Sequence, residues 1–149
     1  MELKNALDER IIDLNLKAKN KKEAITMLAT KLKEANYIDN VEEFVADIYV
    51  RESEGITGIG HYVAIPHGKS DSVTNVGIAI GKLENEIEWE TLDDNGVKLI
   101  FLFAVSNDCE YAKNHMLLLA GIAQKLGDDG AIEKLLNATT VQELIDVFS

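Results

Sequence analysis

One cysteine, one proline and one tryptophan occur in 149 residues, and no apolar run approaches the length of a membrane span. Each scarcity excludes something. A lone Cys109 can close no internal disulfide, which suits a reducing cytoplasm. One proline and ten glycines in a chain that is 46% hydrophobic argue against fibrous, low-complexity or disordered structure. The longest apolar stretch, around Leu99 to Val105, has strand length. The start, Met1-Glu-Leu-Lys-Asn, is followed by Asp8-Glu9-Arg10 rather than by the apolar core of a signal peptide, so a cytoplasmic protein without direct membrane insertion is expected. Cations are scarce too. Fifteen Lys and Arg stand against 26 Asp and Glu, a formal charge of -11. The long-range field of such a chain repels phosphates, so nucleic acid and acidic membrane surfaces are not expected partners. A protein partner is expected to bring a basic patch, although acidity equally serves solubility.

What is present reads as one compact domain over residues 1–149, long enough for a proper core. Ile11-Ile-Asp-Leu-Asn-Leu16 alternates after Ile12 as a strand with one buried face. Asn20 with Glu23 three residues on opens a helix whose apolar positions are Ala24, Ile25, Leu28, Ala29 and Leu32. Asn40 with Glu43 opens a second, with Phe44, Val45, Ile48 and Tyr49 on one face, Arg51 and Glu52 at its end, and Gly55 as the stop. Residues 63–66, 76–80, 87–89 and 97–105 read as strands, the last nearly continuous in apolar residues and therefore central. Met116, Leu119, Ala120, Ala123 and Leu126 mark a helix from near Ala112 to Leu126, and Thr140-Val-Gln-Glu143 is a capping box before a short final helix. No repeat or linker divides these elements. The fold class is α/β, a single-domain sandwich with a mixed β-sheet flanked by helices on both faces.

The run ending Val63-Ala64-Ile65-Pro66-His67-Gly68 delivers an imidazole from an apolar strand into a turn. His67 titrates near neutrality, and a neutral ring offers one nitrogen as nucleophile while the other is held by a hydrogen bond. A histidine that merely caps a turn reads from the same residues. Arg51 offers bidentate recognition of an oxyanion, or is a surface cation at a helix C-terminus. Thr57, Gly58 and Gly60 precede the strand, where a glycine-bearing loop can aim N–H groups at an anion and a threonine can donate its hydroxyl. An ordinary turn fits them too.

Several lookalikes fail. Six residue steps of extended chain from His61 to His67 span roughly 20 Å, too far for one coordination sphere, and Cys109 has no CxxC partner, so no metal is expected. Gly68-Lys69-Ser70 imitates the end of a P-loop, but Val63 stands where the first glycine belongs. The same Val63 replaces the third glycine of a dinucleotide fingerprint begun by Gly58 and Gly60. Asn107-Asp108-Cys109-Glu110 is acidic, a poor setting for a reactive thiolate.

From Glu52 the order is an acid, a six-residue spacer, Ile59-Gly60, two residues, then Val63-Ala64-Ile65-Pro66-His67-Gly68. Asn20-Lys-Lys-Glu-Ala-Ile25, Arg51-Glu-Ser-Glu-Gly-Ile-Thr57-Gly58 and His115-Met-Leu-Leu-Leu-Ala120 accompany it in order. Together these blocks resemble the enzyme IIA of the fructose/mannitol type, a component of the bacterial phosphotransferase system, over nearly the whole chain. The resemblance implies that His67 is the phosphoryl acceptor, forming a tele-phosphohistidine through Nε2, and that His115 lies beside it and supports the phosphorylated state. It implies Arg51 and Thr57 as phosphate-stabilising residues, and the phosphocarrier protein HPr as donor. The acceptor it implies is a cysteine of enzyme IIB, and the membrane enzyme IIC is an indirect partner. No cofactor is implied, because a phosphoramidate retains its own transfer potential. The same His67 would serve a regulatory, nitrogen-type IIA module that binds partner proteins according to phosphorylation. A hydrolase using His67 and His115 is a third reading, for which the sequence supplies no acid–base partner.

Overall fold

A computed structural model describes residues 7–107 and 120–148. Its centre is a six-stranded mixed sheet comprising β1 (Ile12–Asp13), β2 (Gly58–Gly60), β3 (Val63–Ala64), β4 (His67–Lys69), β5 (Gly77–Ile87) and β6 (Val97–Val105). Strand β6 lies in the middle. It pairs antiparallel with β5 on one side and parallel with both β3 and β4 on the other. Eight of its nine residues are buried, which is why its sequence runs apolar without alternation.

The two faces of the sheet bury separate clusters. Helices α1 (Lys21–Glu34) and α2 (Val41–Glu52) cover one face, where Ile25, Leu28, Leu32, Phe44 and Ile48 meet Ala79, Ile100, Leu102 and Ala104. Helical residues 120–126, α3 (Asp129–Asn137) and α4 (Val141–Asp146) supply Ile122, Leu126, Leu135 and Leu144 to the other, against Val63, Ile80, Phe101 and Phe103. Helices on both faces match the expected sandwich. The caps match as well: the side chains of Asn20, Asn40 and Thr140 accept from the backbone N–H groups of Glu23, Glu43 and Glu143.

Strand boundaries depart from the sequence reading. The segment from Ile11 to Leu16 keeps only two strand residues, because a 3-10 turn at Glu9–Ile11 precedes them and β5 is met only at Ile12 and Asp13. Residues 76–80 and 87–89 were expected as two strands; pairing with β6 makes one strand from Gly77 to Ile87, shifted in register after Lys82, with Trp89 beyond its end. The histidine strand divides into β3 and β4 at Ile65-Pro66, and His67 sits on a strand rather than in a turn. Helix α3, capped by Asp128 onto Gly130 and Ala131, was not anticipated. Of the helix expected from near Ala112, the first part lies outside the described residues, as do His115 and Cys109.

Candidate functional site

His67 opens β4 and stands opposite Phe103 in the parallel register with β6. The proline before it cannot donate, but its carbonyl accepts from Phe103 N–H at 2.9 Å, so the chain is anchored one residue ahead of the imidazole. Gly68, just after, is required by packing: a Cβ there would collide with the Phe44 ring and come within 3.0 Å of Ile48 Cγ1. Strand β4 thus lies tight against α2, and His67 is held between two fixed points. Its ring packs on Phe103, with centroids 4.7 Å apart and planes inclined by 34°.

The imidazole Nδ1 lies 2.7 Å from the Ile65 carbonyl oxygen. A carbonyl only accepts, so Nδ1 carries the proton and, in the neutral ring, the lone pair is on Nε2. Burial lowers the pKa of His67, and the charge of Arg51 acts in the same direction; the Ile65 hydrogen bond and Glu52 oppose them. The balance is a lowered pKa, which favours the neutral imidazole, and in that form the lone pair on Nε2 is the one free to act as a nucleophile.

Arg51 and Glu52 end α2, and both act electrostatically on His67. Thr57 is buried at 2% exposure, and its hydroxyl already has partners. It accepts from the Trp89 indole N–H at 3.2 Å and donates to Glu52 Oε1 at 2.6 Å. Because the indole can only donate, the single hydroxyl proton of Thr57 is committed to Glu52. The other oxygen of Glu52 accepts from Lys21 Nζ at 2.9 Å, and Lys21 also reaches Glu90 at 2.8 Å. Lys21, Glu52, Trp89 and Glu90 form a group behind Thr57 that sequence reading did not single out beyond the family's acid position. Lys21 and Glu90 are 69 residues apart, and no spacing signal joins them.

The glycines upstream do not form an open anion loop. Gly58 is in β2, its N–H donating to Glu90 O and its Cα pressed against Thr91, where any side chain would clash. Gly60 leads into a hairpin tip at His61 and Tyr62, both with positive φ (56° and 67°). His61 is exposed there, its backbone N–H on Asp93 and its Nε2 3.6 Å from Asp129 Oδ1. Tyr49, Val50 and Ile56 are exposed apolar residues flanking Arg51 and Glu52 in sequence.

The chain is similar to known proteins over almost all its length. Residues 5–149 match the model of the family described as phosphoenolpyruvate-dependent sugar phosphotransferase system, EIIA 2. It is 34% identical over 133 residues to the 2-O-alpha-mannosyl-D-glycerate-specific EIIABC component of Escherichia coli, a match covering 89% of this chain and 20% of that longer protein. It is 29% identical to a nitrogen regulatory protein of Klebsiella oxytoca, covering 100% of this chain and 91% of the relative. The structure of the complex of mannitol enzyme IIA and phosphorylated enzyme IIB from Escherichia coli contains a chain that superposes with a TM-score of 0.78 at 24% identity, over 95% of this chain and 96% of that one; the likeness shows the fold. Both sugar-specific and nitrogen regulatory proteins are therefore relatives. A match to the family model across residues 5–149 makes this chain a member of the EIIA 2 family of the phosphoenolpyruvate-dependent sugar phosphotransferase system.

Proposed function

We propose that the protein is a phosphoryl carrier in sugar uptake, accepting a phosphoryl group on Nε2 of His67 from the phosphocarrier protein HPr and passing it to a cysteine of enzyme IIB. The observation that carries this reading is the Nδ1–H donated to the Ile65 carbonyl, which leaves the Nε2 lone pair as the nucleophile of the neutral ring. Nε2 attacks phosphorus in line as the N–P bond of the donor phosphohistidine breaks, and the donor imidazole keeps the bonding pair. In the second step the thiolate of the acceptor attacks, and His67 leaves as neutral imidazole once more. Neither step consumes a nucleotide.

Arg51, whose charge already acts on His67, is the residue we assign to balancing the phosphoryl oxygens. Thr57 is assigned a different task from direct donation, that of holding Glu52, since its proton is committed there. His115, which the family resemblance puts beside the acceptor, belongs to the same proposal as a supporting residue. We assign the exposed Tyr49, Val50 and Ile56, which flank Arg51 and Glu52 in sequence, as apolar surface on which two partners dock in turn.

A second reading is favoured by the likeness to nitrogen regulatory proteins, which covers 91% of that relative. There the phosphorylated and free forms of His67 would differ in affinity for a protein target. One experiment tests the shared core and then separates the branches. Incubation with phosphoenolpyruvate, enzyme I and HPr should add one acid-labile phosphoryl group by intact mass, absent in His67→Ala. Transfer from the phosphoprotein to a purified enzyme IIB supports the uptake role. Failure with every enzyme IIB, together with phosphorylation-dependent capture of another protein, supports the regulatory one; a folded chain that takes no phosphoryl group overturns both.

A further inference from the structure

We propose that Lys21 is a positioning residue for His67, acting through the buried carboxylate of Glu52: by neutralising Glu52, Lys21 leaves Arg51 as the uncompensated charge facing the phosphoryl site. The inference rests on the reading of His67 as a phosphoryl carrier. Glu52 is 7% exposed at its side chain, and both oxygens are engaged, Oε1 by Thr57 and Oε2 by Lys21. Glu52 ends the helix that packs tightly on the His67 strand at Gly68, and its charge acts on His67, so it would repel a phosphoryl dianion there unless its own charge is met nearby.

Lys21 is placed where a helix would not choose a cation. It is the first residue of α1, directly after the Asn20 cap, and the positive end of the helix dipole disfavours an ammonium there. Tertiary contacts hold it instead. Its Nζ bridges Glu52 and Glu90 and lies 4.9 Å above the Trp89 ring, with the Tyr49 ring at 6.0 Å. Burial pulls the pKa of Lys21 down, but the bonds from Glu90 and Glu52 outweigh it and the balance is upward, so the group stays charged. Trp89 meanwhile donates to Thr57, and Thr57 to Glu52, so the indole supports the carboxylate from both sides of the ring of contacts. Among the described residues, the charged groups acting on His67 are Arg51 and Glu52, and Lys21 is bonded to the second.

The test is a titration of the His67 ring by NMR, which requires no phosphorylation, followed by the lifetime of the phosphorylated form. Lys21→Met should raise the pKa of His67 by roughly half a unit to one unit, because the unneutralised Glu52 favours imidazolium. It should also shorten the lifetime of phospho-His67 several-fold. Lys21→Arg should restore both, and adding Glu52→Gln to Lys21→Met should bring the pKa back to the wild-type value. Glu52→Gln alone should lower it, which keeps the idea testable if Lys21→Met does not fold. An unmoved His67 in both Lys21→Met and Glu52→Gln overturns the proposal, as does a shift that persists in the double variant. If HPr fails to phosphorylate the wild type, the carrier reading falls while the titration still judges the coupling.

Discussion

At His67, chemistry is set by what the ring cannot do. It cannot present Nδ1, whose proton is held by Ile65 O, and it resists protonation because it is buried against Phe103. Its folded-state pKa therefore lies below the ordinary value of about 6.5. As pH falls through that value the unfolded chain binds the proton first, so stability is full above it and declines toward the lower folded-state pKa. His67→Gln should remove that share of the acid loss. Urea denaturation at about pH 7.5 and about pH 5.5 should show the wild type losing more stability than the variant. Equal losses would mean that burial does not depress the histidine. The Pro-His-Gly run made His67 legible in the sequence, since each neighbour constrains the backbone locally. The partners of Thr57 were not legible, because Glu52, Trp89 and Lys21 converge only through folding.

At the scale of elements, β4 and α2 position the site together, and Gly68 is the contact that allows it. Gly68→Ala forces a methyl into Phe44 and Ile48, an overpacking that should cost about 1–3 kcal/mol in urea denaturation and reduce the phosphorylation rate by displacing His67. An alanine tolerated without loss would show that β4 and α2 can separate at Gly68. The helix caps contribute on their own account: Asn40→Ala should cost about 1 kcal/mol by releasing the Glu43 N–H, with little effect on phosphorylation. Caps were readable in advance because an Asn and a Glu three residues later settle the first turn by themselves. Strands were read less well. The continuity of β5 through Lys82–Ile87 depends on β6 running alongside it, and the shortness of β1 depends on a 3-10 turn with its own Asp8 cap.

Across the whole molecule, β6 separates two apolar clusters and carries β4 on one edge, so a histidine in a three-residue strand inherits the rigidity of the full sheet. The mixed sheet with helices on both faces was evident from the succession of periods in the sequence, whereas α3 was not. Its first turn contains Gly130, a residue that weakens a helix pattern, and only the Asp128 cap and the burial of Ala131, Ile132 and Leu135 explain its position. The charge of -11 belongs to this scale as well. Association with the proposed phosphocarrier, which this charge requires to present a basic surface, should slow as salt rises, chiefly through the on-rate, which stopped-flow mixing at low and high ionic strength can measure. A salt-independent on-rate would leave docking to apolar contacts alone.

The measurement to make first is nitrogen-15 and phosphorus-31 NMR of the labelled protein after phosphorylation by phosphoenolpyruvate, enzyme I and HPr. The geometry calls for a phosphoryl group bonded to Nε2 of His67, with Nδ1 still protonated on the Ile65 carbonyl. A phosphoryl group on Nδ1, or on any residue other than His67, would contradict it.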